Sequence, residues 1–152
     1  MASSSRSNAH ADRPYDLVLV GATGFTGGLT AEYLVKHASG GMRWALAGRN
    51  RGKLEAVRDR LGSAAGPPDL LDVDVTEVSS VRAVAESARV LITTVGPYGQ
   101  HGEPFVKACA AAGTDYVDLT GEPEFVDRMY LAHHESAERS GARIVHACGF
   151  DS

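Results

Sequence analysis

The sequence predicts an α/β fold, a doubly wound parallel sheet of six strands in a single domain, and three observations carry that prediction. From Asp16 onward, short apolar runs alternate with stretches whose apolar residues fall at three-to-four spacing, the pattern of parallel strands joined by crossover helices. A glycine cluster stands where the first strand would hand over to the first helix. The length of 152 residues, 43% of them hydrophobic, suits one core, since a chain of this size buries roughly 70% of its unfolded surface.

Each element can be justified in turn. Residues 1–13 are Ser-rich and polar, without the apolar stretch of a secretory signal, and read as a disordered leader before a domain spanning residues 14–152. The first strand is expected at Asp16–Val20, followed by a helix with Leu29, Tyr33 and Leu34 on its apolar face. Trp44–Ala47 is the second strand; Asn50 then stands in an N-cap position before a helix bearing Leu54, Val57 and Leu61. Gly62 through Pro68 breaks the chain ahead of a third strand at Leu70–Val73. Thr76 is placed to cap a helix bearing Val78, Val81 and Val84, and Val90–Val95 is the fourth strand. Phe105, Val106 and Cys109 mark the next helix, which Gly113 ends. After a fifth strand at Tyr116–Leu119, Pro123 opens a helix with Phe125, Val126, Met129 and Tyr130, Gly141 closes it, and Arg143–Ala147 is the sixth strand.

Composition excludes several functions. A net charge of −4 does not suit a surface that tracks nucleic-acid phosphates. Cys109 and Cys148 are too far apart in sequence for a metal knuckle or a disulfide framework and are expected to be small buried thiols. Apolar runs such as Leu17 to Val20 fall well short of the roughly twenty residues of a membrane span. A reducing, cytoplasmic setting with no membrane anchor in this segment is the expectation.

In a doubly wound sheet, ligands bind beyond the carboxyl ends of the strands. The residues after the first strand are Gly21-Ala22-Thr23-Gly24-Phe25-Thr26-Gly27-Gly28, a Rossmann-like dinucleotide turn in the spacing G-x-x-G-x-x-G. Gly21 serves the tight turn, Gly24 lets backbone approach a pyrophosphate, and Gly27 lets the helix pack on the strand, while the helix N-terminus offers free N–H groups to the anion. Thr23, Phe25 and Thr26 lie between the glycines and are expected to contact the cofactor. No Gly-Lys-Ser/Thr follows, which excludes a nucleoside-triphosphate loop.

The end of the second strand selects the dinucleotide. An NAD site usually carries a carboxylate there for the ribose 2′-hydroxyl, but this chain reads Ala47-Gly48-Arg49-Asn50-Arg51. Arg49, with Asn50 beside it, offers a planar cation to a 2′-phosphate. A charge-assisted bond of about 1.5–3 kcal/mol would favour NADP(H) over NAD(H) about ten- to a hundredfold. The competing reading makes Arg49 and Arg51 solvated charges at the start of a surface helix. Asp74 and Val75, after the third strand, are expected to line the adenine, with helix capping as the alternative for Asp74. Gly96 and Pro97, after the fourth, are expected against the ribose and pyrophosphate.

No complete catalytic set is visible. None of the five tyrosines has a lysine four positions later, which excludes the Tyr-x-x-x-Lys mechanism. There is no Gly-x-Ser-x-Gly elbow, and His133-His134-Glu135 lacks metal spacing and reads as a solvated or partly packed helix surface. Asp118 and Glu122 are expected to cap loops and hydrogen-bond Thr120, and His101 to occupy an exposed loop, with acid/base work as the alternative for all three.

Together, Val18 to Gly27, Ala47-Gly48-Arg49, Thr93-Thr94-Val95-Gly96-Pro97-Tyr98, Gly113 to Glu122 and Ala147-Cys148-Gly149-Phe150-Asp151-Ser152 make the chain resemble the saccharopine dehydrogenase-like oxidoreductases, above all their mycobacterial trans-acting enoyl reductase branch. The resemblance implies a cofactor domain followed by a substrate domain. It also implies hydride transfer from NADPH to an α,β-unsaturated acyl chain made by a polyketide synthase, in complex-lipid biosynthesis, with peripheral membrane association of the full-length protein. Family members continue past the point where this sequence stops, so the catalytic acid and the acyl pocket are expected to lie outside it. The rival expectation is a non-catalytic NADPH-sensing module on the same fold.

Overall fold

The computed structural model describes residues 12–62 and 66–149. Among these the chain forms β1 (Tyr15–Val20), α1 (Phe25–His37), β2 (Trp44–Gly48), α2 (Arg51–Leu61), β3 (Asp69–Asp72) and α3 (Val78–Ser87). There follow β4 (Ala88–Thr93), α4 (Tyr98–His101), α5 (Glu103–Ala112), β5 (Asp115–Asp118), α6 (Pro123–Ser140) and β6 (Ile144–Val145). The strands make one parallel sheet in the order β3-β2-β1-β4-β5-β6. Strand order reverses between β1 and β4, so the crevice for a ligand opens at their carboxyl ends.

Both faces of the sheet are covered, which is why the strands read as near-continuous apolar runs. Leu19, Leu46, Trp44 and Leu70 face α1 and α2 with Ala31, Leu54 and Val57. Val18, Val20, Ala45, Ala47, Leu91 and Tyr116 face α3, α5 and α6 with Val81, Phe105, Cys109, Phe125 and Met129. Asn50 caps α2 through its side chain, which accepts from the Lys53 N–H at 3.0 Å. Gly113 (φ 73°) and Gly141 (φ 82°) end α5 and α6 in the left-handed region.

Several expectations need correction. The anticipated face of α1 is mostly turned outward: Leu29 and Tyr33 are exposed and only Leu34 packs against the core, while Gly27, Gly28 and Ala31 are buried. The helix lies so close to the sheet that only small residues fit beneath it. Thr76 does not cap α3; its N–H and hydroxyl both bond Asp74 Oδ1, at 2.9 and 2.7 Å, and Glu77 takes the N-cap position. Cys148 is exposed beyond β6, whereas Cys109 is buried as expected. The final strand is only two residues long, because Asp118 diverts the chain after it: its Oδ1 accepts the Ala147 N–H (3.0 Å) and its carbonyl the Cys148 N–H (2.7 Å). Tyr130 of α6 and Val78 of α3 are exposed rather than packed.

Residues 1–11 of the expected leader, 63–65 of the breaker cluster and 150–152 of the final motif lie outside the described residues. Arg13, which the sequence places in the leader, is tied into the fold. Its guanidinium donates to the carbonyls of Ala85, Ala88 and Ala112 and to the Thr114 hydroxyl, joining the ends of α3 and α5 beneath the sheet.

Candidate functional site

The turn between β1 and α1 is built by glycines with separable jobs. Gly21 has φ 98°, and a side chain there would stand 2.5 Å from Thr94 Oγ1. A Cβ on Gly27 would lie 2.0 Å from the Gly21 carbonyl oxygen. Both positions are therefore demanded by the fold. Gly24 is not: its φ of −86° suits any residue, and the nearest atom to an added Cβ is Gly21 O at 3.5 Å. It is the N-cap of α1, where no side chain caps the helix and the first turn carries no acidic residue. The first N–H groups of a helix lack intrahelical partners, so an uncapped, carboxylate-free start next to open space fits a pyrophosphate.

The adjoining cleft, about 370 Å³, is lined by Gly21, Thr23, Gly24, Gly48, Arg49, Val73, Val75, Thr94, Val95, Gly96, His101 and Phe105, with Val20 at its base. It thus gathers residues after β1, β2, β3 and β4, as a dinucleotide lying across the switch point requires. Of the residues singled out in the sequence, Gly21, Thr23, Gly24, Arg49, Val75 and Gly96 line it. Gly27 is buried beneath the helix, Asn50 caps α2, and the Phe25 side chain is 85% exposed and points away from the core. Thr26 lies on the exposed first turn, where its carbonyl accepts from the Thr30 hydroxyl at 2.8 Å. Asp74 turns its carboxylate into the loop with Thr76, which together with the nearby Arg49 charge holds it below the usual carboxylate range. The two arginines part company: Arg51 bonds the Leu70 carbonyl at 2.9 Å and pairs with Asp72, while Arg49 faces the cleft.

Pro97 follows a cis peptide and is the N-cap of α4. Glu122, in the segment after the neighbouring strand β5, holds this turn, its Oε1 accepting the Tyr98 N–H at 2.7 Å and its Oε2 the Gly99 N–H at 2.9 Å. Arg128 donates to the Gly99 carbonyl at 3.0 Å, and the Tyr98 hydroxyl to Thr93 O at 3.1 Å. Burial pushes the Tyr98 phenol up to about 12, so it stays protonated near neutrality and does not act as a base there.

Asp118 is fully enclosed. Its Oδ2 accepts from the Tyr116 hydroxyl (2.8 Å) and from His146 Nδ1 (2.7 Å), and its Oδ1 from the Thr120 N–H (3.1 Å) and the Ala147 N–H (3.0 Å). Burial alone would raise this carboxyl, yet the bonds from His146, Thr120, Tyr116 and Ala147 outweigh it and keep it below its ordinary value. The capping expected of Asp118 and Glu122 is what both carboxylates do. His101 differs from expectation: it belongs to α4, is half-buried and lines the cleft. Sequence reasoning weighed His101 only for acid/base work and did not assign it, Thr94 or Phe105 to a cofactor cleft. The signal available for Thr94 and His101 was their place after the fourth strand. Among the described residues there is no group of His, Cys, Asp and Glu that could hold a metal ion, and no helix is long and apolar enough to cross a membrane.

Comparison with known proteins shows the family. The family model of the saccharopine dehydrogenase NADP binding domain matches residues 17–145. A Mycobacterium tuberculosis protein provisionally named a trans-acting enoyl reductase is 54% identical over 140 residues, which are 92% of this chain and 33% of that protein. A Mycobacterium bovis trans-acting enoyl reductase is 49% identical over 142 residues, 93% of this chain and 34% of that protein. The chain therefore spans about a third of the length of the curated relatives it matches. Among solved structures, apo saccharopine dehydrogenase (L-Glu forming) from Saccharomyces cerevisiae superposes with a TM-score of 0.70 at 18% identity, over 89% of this chain and 27% of that one. A Citrobacter triphenylmethane reductase complexed with NADP(H) gives 0.62 at 17% identity, over 87% of this chain and 48% of that one. These last two likenesses concern the fold alone.

Proposed function

The chain belongs to the saccharopine dehydrogenase NADP-binding domain family, and from that premise we propose that it is the NADP(H)-selective cofactor domain of an enoyl reductase. The observation that carries the selectivity is the cleft lining, which includes Arg49 at the end of β2 and no carboxylate. The phosphates lie against the N-terminus of α1 beside Gly24, Arg49 takes the 2′-phosphate, Val73 and Val75 flank the adenine, and Gly96 lets the chain pass close to the ribose. When bound, the reduced nicotinamide would supply a hydride to the β-carbon of an α,β-unsaturated acyl chain, with a proton reaching the α-carbon to complete the saturated product. The likeness to trans-acting enoyl reductases supports an acyl substrate delivered by a polyketide synthase, in the cytoplasm or at a membrane surface.

Fluorescence titration tests the selectivity. NADPH binds the wild type about ten- to a hundredfold more tightly than NADH, and Arg49→Ala removes that preference; an unchanged ratio overturns the assignment. The reaction is tested on the native gene product with NADPH deuterated at the transferred position and an enoyl thioester. The label is expected on the β-carbon, and a saturated product without it, or no turnover with any enoyl thioester, contradicts the reading.

A further inference from the structure

The cleft contains one ionisable side chain besides Arg49, and it is His101. Among the described residues, each of the other histidines has a partner. His37 lies against the Tyr33 ring, His133 bonds Glu103, His134 stacks on Tyr130 and His146 bonds Asp118. The His101 imidazole alone makes no hydrogen bond, ion pair or ring contact among the described residues, although it is half-buried. Its backbone is fixed all the same. The His101 N–H donates to Pro97 O at 3.1 Å, and the turn that carries it is clamped by Glu122, Arg128 and the Tyr98 hydroxyl. A held but unpartnered imidazole facing a ligand cleft is a contact waiting for that ligand.

Its neighbours place the contact. The same cleft is walled by Gly48, Arg49, Val73 and Val75, the ends of β2 and β3, where the adenosine half of a dinucleotide lies; the nicotinamide half extends toward β5. We infer that His101 is a cofactor-binding residue, whose protonated imidazole donates to a phosphate of the adenosine half and acts with Arg49 as a second cation. This rests on the dinucleotide reading above and adds to it a residue and a pH dependence. Three charged groups around α4 are committed elsewhere. Glu122 accepts the N–H groups of Tyr98 and Gly99, Arg128 is bonded to Gly99 O, and Glu103 of α5 is paired with His133. Across the cleft, the Arg49 charge bears on Asp74, whose carboxylate is bonded to Thr76.

Only the protonated imidazole carries a positive charge, so the contact strengthens as pH falls. The test is NADPH affinity of the wild type, His101→Gln and His101→Lys from pH 5.5 to 8.5, with thermal melts to show that the variants fold. Protonation of the free cofactor's 2′-phosphate is common to all three and cancels in their ratios. The Kd of His101→Gln relative to wild type should rise from near unity at pH 8.5 to about tenfold at pH 5.5. His101→Lys should bind more tightly than wild type at pH 8.5 and match it at pH 5.5. Repeating the series with NADH identifies the phosphate: a slope kept with NADH means the pyrophosphate, and one lost means the 2′-phosphate. A flat ratio with both cofactors, while the wild type binds, overturns the role of His101 and leaves the dinucleotide reading standing. No binding by the wild type at any pH overturns both.

Discussion

Asp118 concentrates more hydrogen bonds than any other side chain near the carboxyl ends of β5 and β6, and it does so with no exposure to solvent. Removing one partner of such a buried charged group typically costs about 3–5 kcal/mol, so Asp118→Ala should destabilise the domain by about that much in urea denaturation. The pH dependence follows from its lowered carboxyl. A folded-state value below the unfolded one means that the stabilisation is complete above about pH 4 and is lost as pH falls through the folded value. Urea midpoints of the wild type should therefore drop below pH 4 more steeply than those of Asp118→Asn. Parallel pH curves would show that the charge of Asp118 contributes nothing. The sequence singled out this residue with its correct partner Thr120, but it did not reveal His146. That bond joins residues 28 apart, and only the register of β5 with β6 brings them together.

At the level of elements, α4 shows how a segment can depend on a distant side chain. Four residues do not form a stable helix by themselves. Here Glu122, 24 residues later in the chain, satisfies two N–H groups at its start, and Arg128 one carbonyl. Glu122→Ala should cost about 2 kcal/mol and weaken NADPH binding several-fold through Gly96 and His101, with Arg49 selectivity preserved. Calorimetric titration with both cofactors checks it, and unchanged affinity would mean that α4 is ordered without its cap. This dependence explains what was legible. The alternation of strands and helices, the glycine turn and the caps at Asn50, Gly113 and Gly141 follow from local signals and could be read directly. The short helix, the inward face of α1 and the brevity of β6 could not, because each is decided by a tertiary contact. For α1, periodicity favoured Leu29 and Tyr33, yet the close approach at Gly27 selects glycine and alanine.

For the molecule as a whole, parallel strands set the C-terminal edge, strand reversal between β1 and β4 opens it, and two glycines close the space behind it. The third glycine leaves room in front. Gly24→Val is therefore the most direct test of the account, because its backbone conformation and surroundings accept a side chain while the space it would fill is the one assigned to the pyrophosphate. Gly27→Ala is its counterpart, since a methyl group 2.0 Å from the Gly21 carbonyl should lower stability by about 1–3 kcal/mol. The measurement is NADPH titration of folded Gly24→Val, with melting temperatures recorded for both variants. The account predicts that Gly24→Val melts within a few degrees of wild type and binds NADPH at least a hundredfold more weakly, whereas Gly27→Ala loses stability first. Wild-type affinity in Gly24→Val would contradict the placement of the cofactor at this turn.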